Sequence, residues 1–215
     1  MPEPVTAEML AAVDDYSRAW WIARRPDEPV LTPLGWRTDR PDGRQSWFVR
    51  SPSVEALRGI VAAAGPMDWI RWPGSAGDWA SLLPGVPVAA SSWMFRTDLS
   101  VPTGWRIPLG LERRLVDEGD LVRLELVADG RVVAMGNVAL REHDGDRFAL
   151  PDYVGVEEDC RGRGYGAAVM HGLAAALERG YPRATLSSTD MGKGLYERLG
   201  WRLIGPTAAR ALPET

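Results

Sequence analysis

The segment that most restricts the fold of this 215-residue chain is a glycine- and arginine-rich stretch near residue 160. It reads VEEDCRGRGYGA and runs from Val156 to Ala167. A β-type segment precedes it and an apolar segment with helical spacing follows, so the pattern predicts a strand, a tight turn and a helix. The three glycines leave backbone N–H groups open to a ligand, and the start of the helix adds unpaired amides and a positive dipole end. The segment therefore predicts a polyphosphate-binding turn.

The same glycines also fit a second kind of site. Gly162-x-Gly164-x-x-Ala167 satisfies the dinucleotide-binding fingerprint of Rossmann folds, which implies a nicotinamide-dependent enzyme. A Rossmann turn follows its strand almost at once, whereas here an acidic segment intervenes, and roughly fifty residues remain after the turn. That remainder is too short for the other strands and helices of a doubly wound sheet. A turn that only connects a strand to a helix is a further alternative.

The elements predicted after the turn are a helix, a strand and a second helix. Apolar residues recur at helical spacing as far as Leu177, and Gly180 is a stop signal. Residues 184–188 have a short strand pattern. A second helix is predicted over residues 194–201 and is closed by a glycine and an aromatic residue.

Two motifs resemble those of the GNAT superfamily, the acetyl-CoA-dependent N-acetyltransferases. Arg161-x-x-Gly164-x-Gly166 resembles the family's Arg/Gln-x-x-Gly-x-Gly/Ala signature, and the run from Leu195 to Trp201 resembles its LYExLGF segment. The resemblance covers roughly residues 105–205 and implies an α/β fold with a mixed sheet. Thr189 and Gly192 stand where the family commonly has asparagine and alanine. This departure weakens one expected side-chain contact to the pantetheine arm.

The resemblance also implies which residues hold acetyl-CoA, the acyl-donor cosubstrate. The turn would hold the pyrophosphate, with Arg161 and Arg163 supplying positive charge. The strand before it would splay from the next strand, so that its amides bind the pantetheine and polarise the thioester carbonyl. The predicted cofactor-binding residues are Val154, Gly155, Val156, Arg161, Gly162, Arg163, Gly164, Tyr165, Gly166, Ala167 and Thr189.

Two residues are predicted to be catalytic. An alkylamine acceptor must lose a proton before it attacks, which costs roughly 4 to 5 kcal/mol at neutral pH, so a base or a water chain is needed. Asp152 lies on the strand where GNAT enzymes often place a catalytic or substrate-binding acidic residue, although a solvated turn aspartate is the alternative. Tyr196 occupies the family's position for the acid that protonates the departing thiolate. Its alternative is a tyrosine that packs in a helix interface.

The N-terminal half repeats the order of elements found in the C-terminal half. Strands are predicted at residues 47–49, 67–72 and 88–95, with helices at 54–64 and 77–83 between them. This repeat predicts a tandem GNAT-like chain, in which residues 1–104 form a degenerate copy that does not bind CoA and residues 105–215 form the acetyltransferase domain. An unrelated α/β extension is the alternative. A helix over residues 6–24 and a long surface loop over residues 26–44 are also predicted.

Composition excludes some partners and leaves others open. The net charge is −4 and is spread evenly over the halves, which argues against nucleic acid and against an anionic membrane surface. Neither a membrane span nor a signal peptide is indicated, so a cytoplasmic location is expected. With one cysteine and two isolated histidines, no metal site is predicted. The expected activity is acetyl transfer to an amine of a small molecule or of a peptide or protein, by direct attack in a ternary complex. The expected assembly is a monomer or a homodimer, and a non-catalytic CoA-binding sensor is the alternative function.

Overall fold

The computed structural model describes residues 5–24, 27–50, 53–97, 105–143, 145–176 and 183–210. Five helices and eleven strands are formed within these residues. The helices are α1 (Ala7–Arg24), α2 (Val54–Ala63), α3 (Ala76–Leu82), α4 (Tyr165–Ala176) and α5 (Asp190–Arg198). The strands are β1 (Val30–Thr32), β2 (Gly35–Asp39), β3 (Gln45–Val49), β4 (Trp69–Pro73), β5 (Val88–Thr97), β6 (Glu112–Asp117), β7 (Leu121–Ala128), β8 (Arg131–His143), β9 (Asp146–Val156), β10 (Ala184–Ser188) and β11 (Arg202–Arg210).

All eleven strands join in one mixed sheet. The spatial order is β1-β2-β3-β4-β11-β5-β10-β9-β8-β7-β6. Only the β3–β4 and β9–β10 neighbours are parallel, and the other neighbours are antiparallel. The predicted α/β fold with a mixed sheet is therefore confirmed. A doubly wound Rossmann sheet, which is mostly parallel, does not match this arrangement.

The sheet order has an internal symmetry. Exchanging β3 with β9, β4 with β10 and β5 with β11 reverses the central order β3-β4-β11-β5-β10-β9 onto itself. The parallel and antiparallel relations are preserved by the same exchange. Thus β5, the last strand of the N-terminal half, lies beside the parallel pair β9–β10, and β11, the last strand of the C-terminal half, lies beside the parallel pair β3–β4. Residues 98–104, which join the two halves, lie outside the described residues.

Most predicted elements are present, and one prediction is wrong. The helices predicted at 6–24, 54–64 and 77–83 correspond to α1, α2 and α3, and the strand at 184–188 is β10. The predicted end of α4 near Gly180 lies outside the described residues. Residues 26–44, predicted as a long loop, contain β1 and β2 instead. Their proline-, aspartate- and arginine-rich composition favours a loop, but β2 pairs with β3 along its length, and this long-range pairing overrides local preference.

The core is built on both faces of the sheet. Helix α1 crosses one face, where its buried residues pack against β3, β5, β8 and β9 side chains. Helices α4 and α5 pack on the other face over a cluster that includes Leu124, Val169, Leu186 and Tyr196. A third cluster around Trp79 lies beneath α2 and α3. The two faces are therefore separated by the sheet, except where neighbouring strands diverge.

Candidate active site

The glycine-rich turn adopts a backbone that its sequence requires. Gly162 and Gly164 have φ values of +76° and +80°, in the left-handed region that favours glycine. A Cβ at either position would point into open space, with no atom within 4 Å. The glycines are thus needed for the turn's conformation, and they leave one side of it clear for a ligand.

Helix α4 begins immediately after this turn. Its first hydrogen bond joins the Ala168 N–H to the Gly164 carbonyl at 3.0 Å. The amides of Tyr165, Gly166 and Ala167 precede that bond and lie at the open, positive end of the helix. This end therefore presents three N–H donors beside the turn, which is the arrangement that binds phosphate groups.

A cavity of about 560 Å³ lies between this turn and α5. Its lining includes ten of the eleven residues predicted to bind the cofactor, namely Val154, Gly155, Val156, Arg161, Gly162, Gly164, Tyr165, Gly166, Ala167 and Thr189. Arg163 is not among the lining residues, and its guanidinium donates instead to the Asp159 carbonyl at 3.1 Å. The turn and its neighbours thus surround one space large enough for a small ligand.

Helix α5 adds lining residues that sequence analysis missed. Met191, Gly192, Leu195 and Arg198 also line the cavity, and Arg198 brings a second cation to it. Met191 and Gly192 lie four and three residues before Leu195, and Arg198 lies three residues after it, so they share one face of α5 beside its N-cap, Thr189. Thr189 caps α5, since its hydroxyl accepts from the Gly192 N–H at 3.4 Å. This helical spacing is the sequence signal from which the four residues could have been predicted.

The sheet opens beside this cavity. Strands β9 and β10 pair only at Ala149 and Ala184, and no further register pair joins them. In β9 a bulge lies between Asp152 and Gly155, where Tyr153 has a φ of +55°. Pro151 itself stays paired with Val138, so the strand is redirected at the bulge and not at the proline.

The bulge determines which amides face the opening. The Glu157 N–H donates to the Val133 carbonyl at 3.0 Å, on the β8 side. Successive amides of a strand point to opposite edges, so the amides of Val154 and Val156 face the β10 side, where β9 has no strand partner. They form a short unpaired strand edge along the cavity.

Tyr196 lies on α5 with its ring in the core. Its ring packs edge-on against Trp201, with centroids 6.0 Å apart, and tilted against Phe95 at 5.7 Å. Burial, and next the negative charge of Asp152, raise the pKa of Tyr196 to about 12. The phenol therefore stays protonated at neutral pH, and the two predicted catalytic residues are close enough to interact electrostatically.

Asp152 is held by an arginine that the sequence did not single out. Arg24, the last residue of α1, donates to both carboxylate oxygens at 2.7 and 3.1 Å. The guanidinium also lies 3.9 Å from the centroid of the Tyr153 ring. A carboxylate offers about four lone-pair positions, so two stay open to another donor. Asp152 is a fixed, ion-paired side chain and not a solvated turn aspartate.

The comparisons with known proteins agree with this arrangement. Residues 123–203 match the family model of the acetyltransferase (GNAT) domain. No curated protein matches the chain. A GCN5-related N-acetyltransferase from Kribbella flavida is 14% identical with a TM-score of 0.63, over 99% of this chain and 98% of that one. A putative GNAT acetyltransferase from Novosphingobium aromaticivorans is 18% identical with a TM-score of 0.58, over 94% and 96% of the two chains. At such identities, the structural likeness establishes the fold alone.

The family match and the fold together define an acetyltransferase. More narrowly, residues 123–203, which contain the glycine-rich turn, match the GNAT acetyltransferase domain. The family resemblance and the enzyme class predicted from the sequence are thereby confirmed.

Among the described residues, none of the helices is long and apolar enough to cross a membrane. No group of three or more His, Cys, Asp and Glu side chains among them is arranged to hold a metal ion.

Proposed function

We propose that this acetyltransferase takes the acetyl group from acetyl-CoA and transfers it to an amine by direct attack within a ternary complex. The observation that carries the proposal is the cavity that joins the glycine-rich turn to the unpaired edge of β9. A phosphate-binding turn and an open strand edge on one cavity suit the two polar parts of CoA, its pyrophosphate and its pantetheine amides. Acetyl-CoA would supply the thioester.

Each group around the cavity has a role in this proposal. The amides of Tyr165, Gly166 and Ala167 would bind the pyrophosphate, with Arg161 and Arg198 adding positive charge. The amides of Val154 and Val156 would pair with the pantetheine as an added strand and polarise the thioester carbonyl. These groups bind and orient the donor without forming a covalent bond to it.

Proton movements complete the proposed reaction. The amine nitrogen forms a bond to the acetyl carbon, the carbon–sulfur bond breaks, and the Tyr196 hydroxyl gives its proton to the leaving thiolate. The amine's surplus proton passes to Asp152 or to water, and Tyr196 regains a proton from solvent. Direct attack is favoured over an acetyl-enzyme because Cys160, the one cysteine of the chain, is buried in the core.

Two measurements test this proposal. Calorimetric titration should show binding of acetyl-CoA and no binding of NAD. Free thiol should then appear when acetyl-CoA and a panel of amines are mixed with the protein, and initial rates at varied concentrations of both should give intersecting lines. Binding without thiol release from any amine would mean a CoA sensor. Thiol release and a stable acetylated protein before any amine is added would contradict direct attack.

A further inference from the structure

Arg71 brings a cation from the N-terminal half into the neighbourhood of Asp152. It lies on β4 and is 9% exposed. Its Nη1 donates to the Ser187 hydroxyl on β10 at 2.7 Å. The guanidinium carbon lies 4.7 Å from the ring centroid of Tyr16 and 4.6 Å from that of Trp69. Its surroundings are thus two aromatic rings and the neutral hydroxyls of Ser187 and Tyr16.

This guanidinium differs from Arg24, Arg96 and Arg183 in having no carboxylate partner. Arg24 pairs with Asp152, and both Arg96 and Arg183 pair with Asp15. Among the residues that the structure describes, no carboxylate forms an ion pair with Arg71, and its buried Nε has no hydrogen-bond partner. An uncompensated buried charge is costly in a folded protein. The charge of Arg71 is therefore available to an anion that comes from outside the chain.

Arg71 lies near the opening between β9 and β10 where the acetyl transfer is proposed to occur. Ser187, which it contacts, is on the strand that ends one residue before Thr189, a lining residue of the cavity. Asp152 lies on the opposite side of the opening between β9 and β10, where α1 covers the sheet. Arg71 and Asp152 therefore lie on the α1 face, and the cavity between the turn and α5 lies on the other.

A stripe on α1 links the two charged groups. Tyr16, Trp20 and Arg24 follow one another at four-residue spacing and so lie on one helix face. Tyr16 contacts Arg71, the Trp20 ring stacks on Trp69 at 6.3 Å, and Arg24 holds Asp152. Burial raises the pKa of Tyr16, and the charges of Arg71 and Asp152 both act on its phenol. A cation and a carboxylate thus share one aromatic-lined region.

We propose that Arg71 binds a carboxylate of the acceptor, so that the acceptor is an amino acid with its amine directed to Asp152. This proposal rests on the acetyl transfer proposed above. The charges of Arg24 and Asp152 cancel each other. Arg71 therefore gives the region a net charge of one positive unit, and a carboxylate on the acceptor would balance it. A planar guanidinium also binds a carboxylate through two parallel hydrogen bonds. Arg71 is therefore a binding and specificity-determining residue.

Matched acceptors test the proposal directly. Acetyl transfer is measured with amino acids, with their primary amides and with the corresponding decarboxylated amines, using wild type, Arg71→Gln and Arg71→Lys. Wild type should prefer the amino acids in kcat/KM. In Arg71→Gln this preference should shrink by roughly ten- to a hundredfold, the effect expected when a hydrogen-bonded charge pair is lost. Arg71→Lys should restore only part of it, because an ammonium lacks the planar fork.

Arg37→Gln is the matched control. Arg37 also lies on a strand over a tryptophan ring, that of Trp47, and also has a buried Nε without a partner, but it pairs with Asp39. This variant should keep the wild-type preference. Equal use of amino acids, amides and amines by wild type, or an unchanged preference in folded Arg71→Gln, would overturn the inference and leave acetyl transfer standing.

A binding measurement separates this inference from the proposed function. Trp69 contacts the guanidinium, so the tryptophan fluorescence of the protein should change when N-acetyl amino acids are titrated into wild type but not into Arg71→Gln. N-acetyl amino acid amides should give no change in either protein. If no amine is turned over, the proposed transfer fails, while this titration still decides whether Arg71 binds a carboxylate.

Discussion

Tyr196 shows how the surroundings of a single residue determine its protonation state. Its hydroxyl lies near the negative charge of Asp152 within a largely buried environment, and both raise its pKa to about 12. The phenol can therefore donate a proton at any pH near neutrality, as an acid for the thiolate must. Its ring is packed between Phe95 and Trp201, which fixes the direction of the hydroxyl.

Tyr196→Phe tests the acid role. The substitution removes only the hydroxyl, so binding of acetyl-CoA should change little while kcat falls by roughly a hundred- to ten-thousandfold. Because the pKa is near 12, the defect should be constant from neutral pH to about pH 10. Steady-state rates at saturating acetyl-CoA measure it. Full kcat in the variant would mean that Tyr196 only packs and that solvent protonates the thiolate.

The same pKa shift predicts a change in alkaline stability. The folded state keeps the Tyr196 proton up to about pH 12, whereas the unfolded chain loses it near pH 10. The folded state therefore binds more protons between these values, and the free energy of unfolding falls as pH rises through them, by about 2 to 3 kcal/mol in total. Denaturant unfolding from pH 9 upward should show a shallower decline in Tyr196→Phe. Parallel declines in the two proteins would contradict this linkage.

In the proposed function, donor binding depends on the turn before α4. Its left-handed glycines and the amides of the first helical turn together form the proposed phosphate site. Neither part suffices alone, because a helix start with side chains over it would hold the pyrophosphate away from the N–H groups. The element works through backbone atoms, which explains why its residue types matter more than their charges.

Gly164→Val tests this element. The side chain would enter the open space beside the turn and should raise the Kd of acetyl-CoA at least about tenfold, on the order of 1.4 kcal/mol. Calorimetric titration of the folded variant is the measurement. Gly130→Val is the control, since Gly130 has the same φ of +80° and open surroundings but lies in the β7–β8 turn. Equal Kd values for the two variants would argue against a phosphate site at the turn.

At the scale of the whole molecule, the two halves exchange strands. β5 of the N-terminal half lies between β10 and β11 of the C-terminal half, and β11 lies between β4 and β5. We propose that residues 1–104 are a degenerate copy of the domain formed by residues 105–215, and the symmetric strand order supports this. In the N-terminal half β3 and β4 pair at three successive residues. They therefore stay hydrogen-bonded at the place that corresponds to the divergence of β9 and β10 in the C-terminal half. A closed sheet there leaves no strand edge for a pantetheine arm.

Strand exchange predicts that neither half is stable alone. A fragment of residues 105–215 would lack β5, which would leave the facing edges of β10 and β11 unpaired and the apolar face under α1 exposed. It should aggregate or melt well below the full chain, and light scattering with thermal unfolding would show this. Expressing residues 1–104 and 105–215 together should restore a folded, acetyl-CoA-binding complex. A monomeric C-terminal fragment with full stability and activity would show that residues 1–104 are dispensable.

The sequence by itself determined the features that depend on local backbone chemistry. The glycine turn, the start of α4, the helices over residues 7–24 and 54–63 and the strand at 184–188 all follow from residue type and spacing over a few positions. The family motifs added Tyr196 and the residues around the turn. The loop predicted over residues 26–44 was wrong because β2 forms by pairing with β3, and β1 by pairing with β2.

The tertiary structure decided which distant residues meet. Arg24 reaches Asp152 across 128 positions, and Arg71 reaches Ser187 across 116, so no local pattern indicates either contact. The exchange of β5 and β11 brings these partners together, because it joins both halves in one sheet under a single helix. Long-range strand pairing and burial are properties of the whole chain, and they placed Arg71 of the N-terminal half against Ser187 and Arg24 against Asp152 of the C-terminal half.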